Sequence, residues 1–164
     1  MKFIISFFLL VFSILSFADD YDEQTICLAQ NIYHEARGES TEGQIAVSNV
    51  VINRVESKQF PNDICSVVYQ RTQIKSINRV LKFLGIPAFC QFSWTCDLKS
   101  NDLYRDSESW KNIQTLAQEI VLGTHDDLTN GATHYYNPAE VVSTPPWANK
   151  LTKTIVIGSH HFYK

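Results

Sequence analysis

Thr41-Glu42-Gly43-Gln44-Ile45-Ala46-Val47-Ser48-Asn49-Val50-Val51-Ile52-Asn53-Arg54-Val55 is the stretch whose reading decides the fold. Thr41-x-x-Gln44 has the form of a capping box, in which side chains satisfy the free N–H groups at a helix start. The helix it opens, from near Glu42, carries Ile45, Ala46, Val47, Val50, Val51, Ile52 and Val55, so most of its circumference is apolar. Such a helix must be wrapped by the rest of the chain, which makes it the central buried helix, ending before Pro61. Its β-branched content also suits a strand, but length and cap favour a helix.

Upstream, Ile26, Ala29, Ile32, Tyr33 and Ala36 recur at helical spacing, predicting a helix from about Glu23 to Arg37 that stops at Gly38. Downstream, Asn62 is a candidate cap for a short helix through Val67-Val68-Tyr69. The polar, basic segment from Arg71 to Lys82 reads as helical, and Gln91 to Trp94 as extended. Ser107 to Leu122 is a further helix, with Trp110, Ile113, Leu116, Ala117, Ile120 and Val121 inward and Gly123 closing it. Ala132 to Tyr136 and Thr154 to Ile157 read as strands, bounded by Asn137-Pro138 and Gly158. The expected class is α+β, mostly helical, a single domain with a small β-sheet.

The chain has 164 residues, of which 45% are hydrophobic and 19% charged, enough to bury a core and too apolar for disorder. Its 14 Lys+Arg against 17 Asp+Glu, without a basic cluster, exclude a nucleic-acid binder. Lys2 precedes an apolar run from Phe3 to Phe17 that closes at Ala18 before Asp19-Asp20. That pattern predicts a signal peptide over residues 1–18 and a functional domain over 19–164, with no stable membrane insertion after cleavage; an uncleaved membrane anchor is the alternative reading. The protein is expected outside the cytoplasm, secreted or periplasmic. There, Cys27, Cys65, Cys90 and Cys96 suggest two disulfides with the pairing open.

The densest polar patch is His34-Glu35-Ala36-Arg37-Gly38-Glu39. Glu35 falls in the last turn of the first helix, where the negative end of the dipole disfavours its anion, as would partial burial. A carboxylic acid still protonated near neutral pH can protonate a glycosidic oxygen. Arg37 opposes that shift if it points at Glu35. The bland alternative is a solvated turn in which Glu35, Arg37 and Glu39 pair at the surface. His34-Glu35 begins like a zinc-protease motif, but Gly38 stands where its second histidine is needed. His125, His134, His160 and His161 remain as ordinary histidines or as a rival metal site. Ser93 lies outside any nucleophile elbow. Trp94, Tyr104, Tyr135, Tyr136 and Trp147 could stack on sugars or pack in the core, and Pro145-Pro146-Trp147 sets one ring on a stiff loop.

Ile32-Tyr33-His34-Glu35-Ala36-Arg37-Gly38-Glu39, Gly43-Gln44-x-Ala46-Val47 and Val51-Ile52-Asn53-Arg54-Val55 together resemble the SleB/CwlJ-type cell wall hydrolases. So do Phe60-Pro61 with Cys65-x-Val67-Val68, the run from Cys90 to Asp97, the run from Gly131 to Asn137, and Ile157-Gly158-x-His160-x-Phe162-Tyr163. The resemblance runs in order from about Cys27 to the C-terminus. It implies a lysozyme-like catalytic domain acting on peptidoglycan; no cofactor or metal is expected, and the protein is expected to be a monomer. It places the catalytic acid at Glu35 and implies cleavage between N-acetylmuramic acid and N-acetylglucosamine, by lytic transglycosylation. Should water attack instead, the enzyme is a muramidase, with Glu39 or Asp97 as helper. The expected substrate contacts are Gln91, Ser93, Trp94, His134, Tyr135 and Asn137. The rivals are a metal-dependent peptidoglycan amidase or peptidase, and a non-catalytic wall-binding protein on the same scaffold.

Overall fold

The computed structural model describes residues 21–72, 89–96 and 108–164. The expected signal peptide, the expected helical segment beyond Thr72, Asp97 and Tyr104 lie outside the described residues. Helix α1 (Glu23–Ala36) starts where the Asp22 carboxylate accepts the Thr25 N–H at 2.9 Å. Helix α2 (Thr41–Glu56) begins one residue earlier than the capping-box reading placed it. Ser40 is the cap: it has the extended backbone a cap requires, and its Oγ accepts the Gly43 N–H at 3.3 Å. The Gln44 amide reaches back to the Glu39 carbonyl instead, at 3.3 Å.

From Ile45 to Val51 every residue of α2 is buried, and Ala46, Val47, Val50 and Val51 have no exposed surface at all. Two cores form against it. Leu28, Ile32, Val51, Val67, Val68 and Ala117 join α1, α2, the short helix α3 (Ile64–Val68) and helix α4 (Glu108–Val121). Ala36, Ala46, Val47, Val50, Ala132, Ile157 and Phe162 join the opposite face of α2 to a sheet. Asp63, not Asn62, caps α3, its Oδ1 accepting the Ser66 N–H at 2.8 Å. Gly123, at φ 74°, lets the chain turn away after α4. Among the described residues no helix is long and apolar enough to cross a membrane.

That sheet has the antiparallel order β3-β5-β4, from His134–Tyr136 (β3), Lys153–Ile157 (β4) and His160–Tyr163 (β5). The sequence pattern does not announce the middle strand β5, since Gly158 reads as a terminator. At φ 57° Gly158 is the turn of a hairpin, and the chain re-enters the sheet two residues later. Arg71–Thr72 (β1) is also a strand rather than helix, paired with Phe89–Cys90 (β2). Gln91 to Trp94 is not extended: Ser93–Cys96 is a 3-10 turn, with both the Thr95 N–H and Oγ bonded to the Phe92 carbonyl. The Cys90–Cys96 disulfide closes that loop, and a six-residue span between bonded cysteines cannot stay straight.

The second disulfide, Cys27–Cys65, joins α1 to α3 across 38 residues. Loop-closure entropy of that length is worth about 3–4 kcal/mol. Replacing both cysteines by serine is therefore expected to lower the unfolding free energy by about that amount in urea denaturation, and to raise the denaturant slope because the unfolded chain becomes less compact.

Candidate active site

Glu35 occupies the last turn of α1, where the packing of α1 and β3 on α2 brings it against Tyr135. The Tyr135 hydroxyl donates to Glu35 Oε2 at 3.1 Å, and Oε1 accepts no hydrogen bond among the described residues. Burial pushes the Glu35 carboxyl above its usual range. The Tyr135 bond pulls it back, the Glu140 charge raises it, and the Arg54 charge lowers it; burial wins. Burial also lifts the Tyr135 phenol well above its ordinary value, so it remains a donor throughout.

Arg54 is only 3% exposed, inside α2. Its Nε donates to the Thr133 carbonyl at 2.7 Å, and its guanidinium lies 5.3 Å from the Phe60 ring centre and 5.4 Å from that of Phe92. Burial pulls it down to about 10, partly offset by Tyr135 and Glu35, so it keeps its charge at neutral pH. Nη1 is buried with no hydrogen-bond partner among the described residues. The conditional role of Arg37 is settled by position: its guanidinium stacks over Tyr33 at 4.9 Å. The cation that Glu35 feels comes from α2.

These groups open on a cleft of about 370 Å³. Glu35, Gln91, Ser93, Tyr135 and Asn137 from the expected set all line it. The disulfide loop exposes Gln91 and Ser93 because Phe92 between them is turned into the core. Trp147, on the stiff proline loop, forms part of the wall with Tyr136. Three expected residues are placed elsewhere. Trp94 is 9% exposed, in the helical core, with its ring stacked on His34 at 4.4 Å. His134 lies on a separate groove of about 450 Å³, beside Asn53 and Glu56. Glu39 grips the β4–β5 hairpin: both the Ser159 hydroxyl and N–H donate to it, and His160 Nδ1 is 3.9 Å away. Those donors hold its carboxyl below the usual range, the opposite of Glu35.

Arg54, Glu140 and His160 also line the cleft and lie beyond the expected set. An arginine inside an apolar helix is the signal that could have found the first. Glu140 carries none, since a glutamate in a polar loop is commonplace. His160 packs edge-on to Tyr135 at 5.2 Å between ring centres, and burial lowers its proton affinity. Among the described residues no three His, Cys, Asp or Glu side chains converge as metal ligands do.

Two outcomes follow from the Glu35 environment. Below the ordinary glutamate value of 4.5 the carboxyl is neutral folded or unfolded; above it the unfolded chain ionises first, so stability falls with rising pH until the raised folded value is passed. Glu35→Gln should therefore raise the melting temperature at pH 8, with the gain vanishing near pH 4. Tyr135→Phe removes a donor that favours the anion. It should move the Glu35 midpoint to higher pH in a ¹³C-carboxyl NMR titration.

The sequence profile of the cell wall hydrolase family matches residues 38–163. The spore cortex-lytic enzyme of Bacillus subtilis is 29% identical over 137 residues, covering 82% of this chain and 35% of the relative. That of Oceanobacillus iheyensis is 28% identical over 147 residues, covering 88% and 43%. The chain thus spans less than half the length of these relatives. Among solved structures, the catalytic domain of the germination-specific lytic transglycosylase SleB from Bacillus anthracis matches with a TM-score of 0.54 at 26% identity, covering 89% of this chain and 98% of that one. The catalytic domain of the Bacillus cereus SleB protein matches at 0.53 and 28% identity, covering 88% and 92%. With this lysozyme-like fold and a profile match over most of its length, the chain belongs to the cell wall hydrolase family.

Proposed function

We propose that this protein cleaves the glycan strand of peptidoglycan between N-acetylmuramic acid and N-acetylglucosamine as a lytic transglycosylase, with Glu35 as its acid and base. The carrying observation is a cleft carboxyl whose proton affinity burial raises, with one oxygen held by Tyr135 and the other unbonded among the described residues. The family match starts at Gly38, so the role of Glu35 stands on this chemistry. The similar Bacillus anthracis domain is itself that of a lytic transglycosylase, which supports the same reaction class here.

Glu35 gives its proton to the glycosidic oxygen as the bond to the muramyl C1 breaks and an oxocarbenium-like state develops. The carboxylate left behind is stabilised by the Tyr135 hydroxyl and the Arg54 charge. It then takes the proton of the muramyl 6-hydroxyl as that oxygen attacks C1. This closes a 1,6-anhydro ring and restores the acid, so one residue serves both halves. Gln91, Ser93 and Asn137 offer polar contacts along the cleft, and Trp147 and Tyr136 offer rings for sugar faces. The leader over residues 1–18 carries the 19–164 domain, a monomer, out to the wall, into a compartment where both disulfides persist.

The test is mass spectrometry of purified peptidoglycan digested by residues 19–164, beside Glu35→Gln. Anhydro-muramyl ends are expected from the wild type, and the variant, with intact circular dichroism, should lose about 10²–10⁴-fold in rate. Reducing muramic acid ends would make the enzyme a muramidase. Cut stem peptides on intact glycan would overturn glycan cleavage altogether.

A further inference from the structure

Glu140 stands on the cleft by construction. The chain leaves β3 through Asn137-Pro138, where Asn137 Oδ1 accepts the Ala139 N–H at 3.0 Å and the Asn137 carbonyl accepts the Glu140 N–H at 3.1 Å. This side-chain-locked turn brings residue 140 back to the wall of the cavity that Glu35 lines. The Glu140 carboxylate is exposed, yet its charge reaches groups on three elements, Glu35 of α1, Tyr135 of β3 and His160 of β5. It lines the same cleft as all three and is exposed to solvent there.

We propose that Glu140 is a positioning residue for the reaction, repelling negative charge on Glu35 across the cleft and so setting the pH at which glycan cleavage fails. The proposal rests on Glu35 being the acid. The other groups around Glu35 do not duplicate it. Arg54, from α2, has the opposite sign and is buried. Tyr135 stays a neutral phenol, and burial disfavours the charged form of His160 more than Glu39 and Glu140 restore it. On α1 itself, Arg37 is turned over Tyr33, and His34 is stacked on Trp94 with burial lowering its proton affinity. Glu39 is taken up by Ser159 at the hairpin. Glu140 is thus the anion opposing Arg54 at Glu35 among the described residues. The two differ in their response to salt. A charge acting through the solvent of the cleft is screened, whereas one acting through packed side chains is screened much less.

The experiment is a ¹³C-carboxyl NMR titration of Glu35 in wild type, Glu140→Gln and Glu140→Asp, run beside the pH profile of peptidoglycan digestion. In Glu140→Gln the Glu35 midpoint is expected to fall, and the alkaline limb of kcat/KM to move to lower pH with it. Glu140→Asp keeps the charge and should hold the midpoint near wild type. Raising salt should lower the wild-type midpoint toward that of Glu140→Gln and barely move the variant. An unchanged Glu35 midpoint in Glu140→Gln overturns the proposal. A lowered midpoint in a protein that leaves glycan intact upholds the carboxylate pair and sinks the glycan-cleaving reading instead.

Discussion

Helix α2 has no solvent-facing side between Ile45 and Val51, and the architecture follows from that constraint. An apolar cylinder must be covered on every side, and one further helix cannot do it. Helices α1, α3 and α4 cover one side and the three-stranded sheet the other, which is why two cores share a single helix. Tyr135 and Leu128 pack against both. The cleft lies where the helical and sheet layers meet, so residues from the end of α1, the end of α2 and the start of the sheet face each other there.

The chemistry of the cleft comes from a balance of opposed influences around one carboxyl. Burial alone would make Glu35 a strong proton holder and a poor proton donor. The Tyr135 bond and the buried Arg54 charge favour the anion, while Glu140 disfavours it. In the proposed mechanism the acid becomes a base within one turnover and needs both kinds of neighbour, since neither protonation state can be made too costly. Arg54 can stay charged in the core because Thr133 takes one donor and two aromatic faces flank the guanidinium. Glu39, four residues from Glu35, shows the contrast. Bonded by Ser159 and close to His160, it favours the anion and serves as a structural clamp on the β4–β5 turn.

Helix-scale patterns were legible from residues alone: the apolar circumference of α2, the inward stripe of α4 and the ends of α1 all lie within a residue or two of their expected bounds. What misled were short segments. Gln91 to Trp94 alternates as a strand does, but a disulfide six residues long bends it into a 3-10 turn. Gly158 reads as an ending and is a hairpin, because a positive φ lets the chain reverse rather than stop. Trp94 carries the composition of a sugar platform, yet the same bend that exposes Gln91 and Ser93 drives its indole into the core.

By itself the sequence determined the helical scaffold, an even number of cysteines, the family and the placing of Glu35 at a helix end. These are local properties, set by periodicity, capping and residue type within one segment. Tertiary structure alone decided which cation and which hydroxyl meet that carboxyl, and that Glu39 belongs to a hairpin while Glu140 belongs to the cleft. Those facts depend on residues about 20 to 120 positions apart being brought within a few ångströms, and no single segment contains that information.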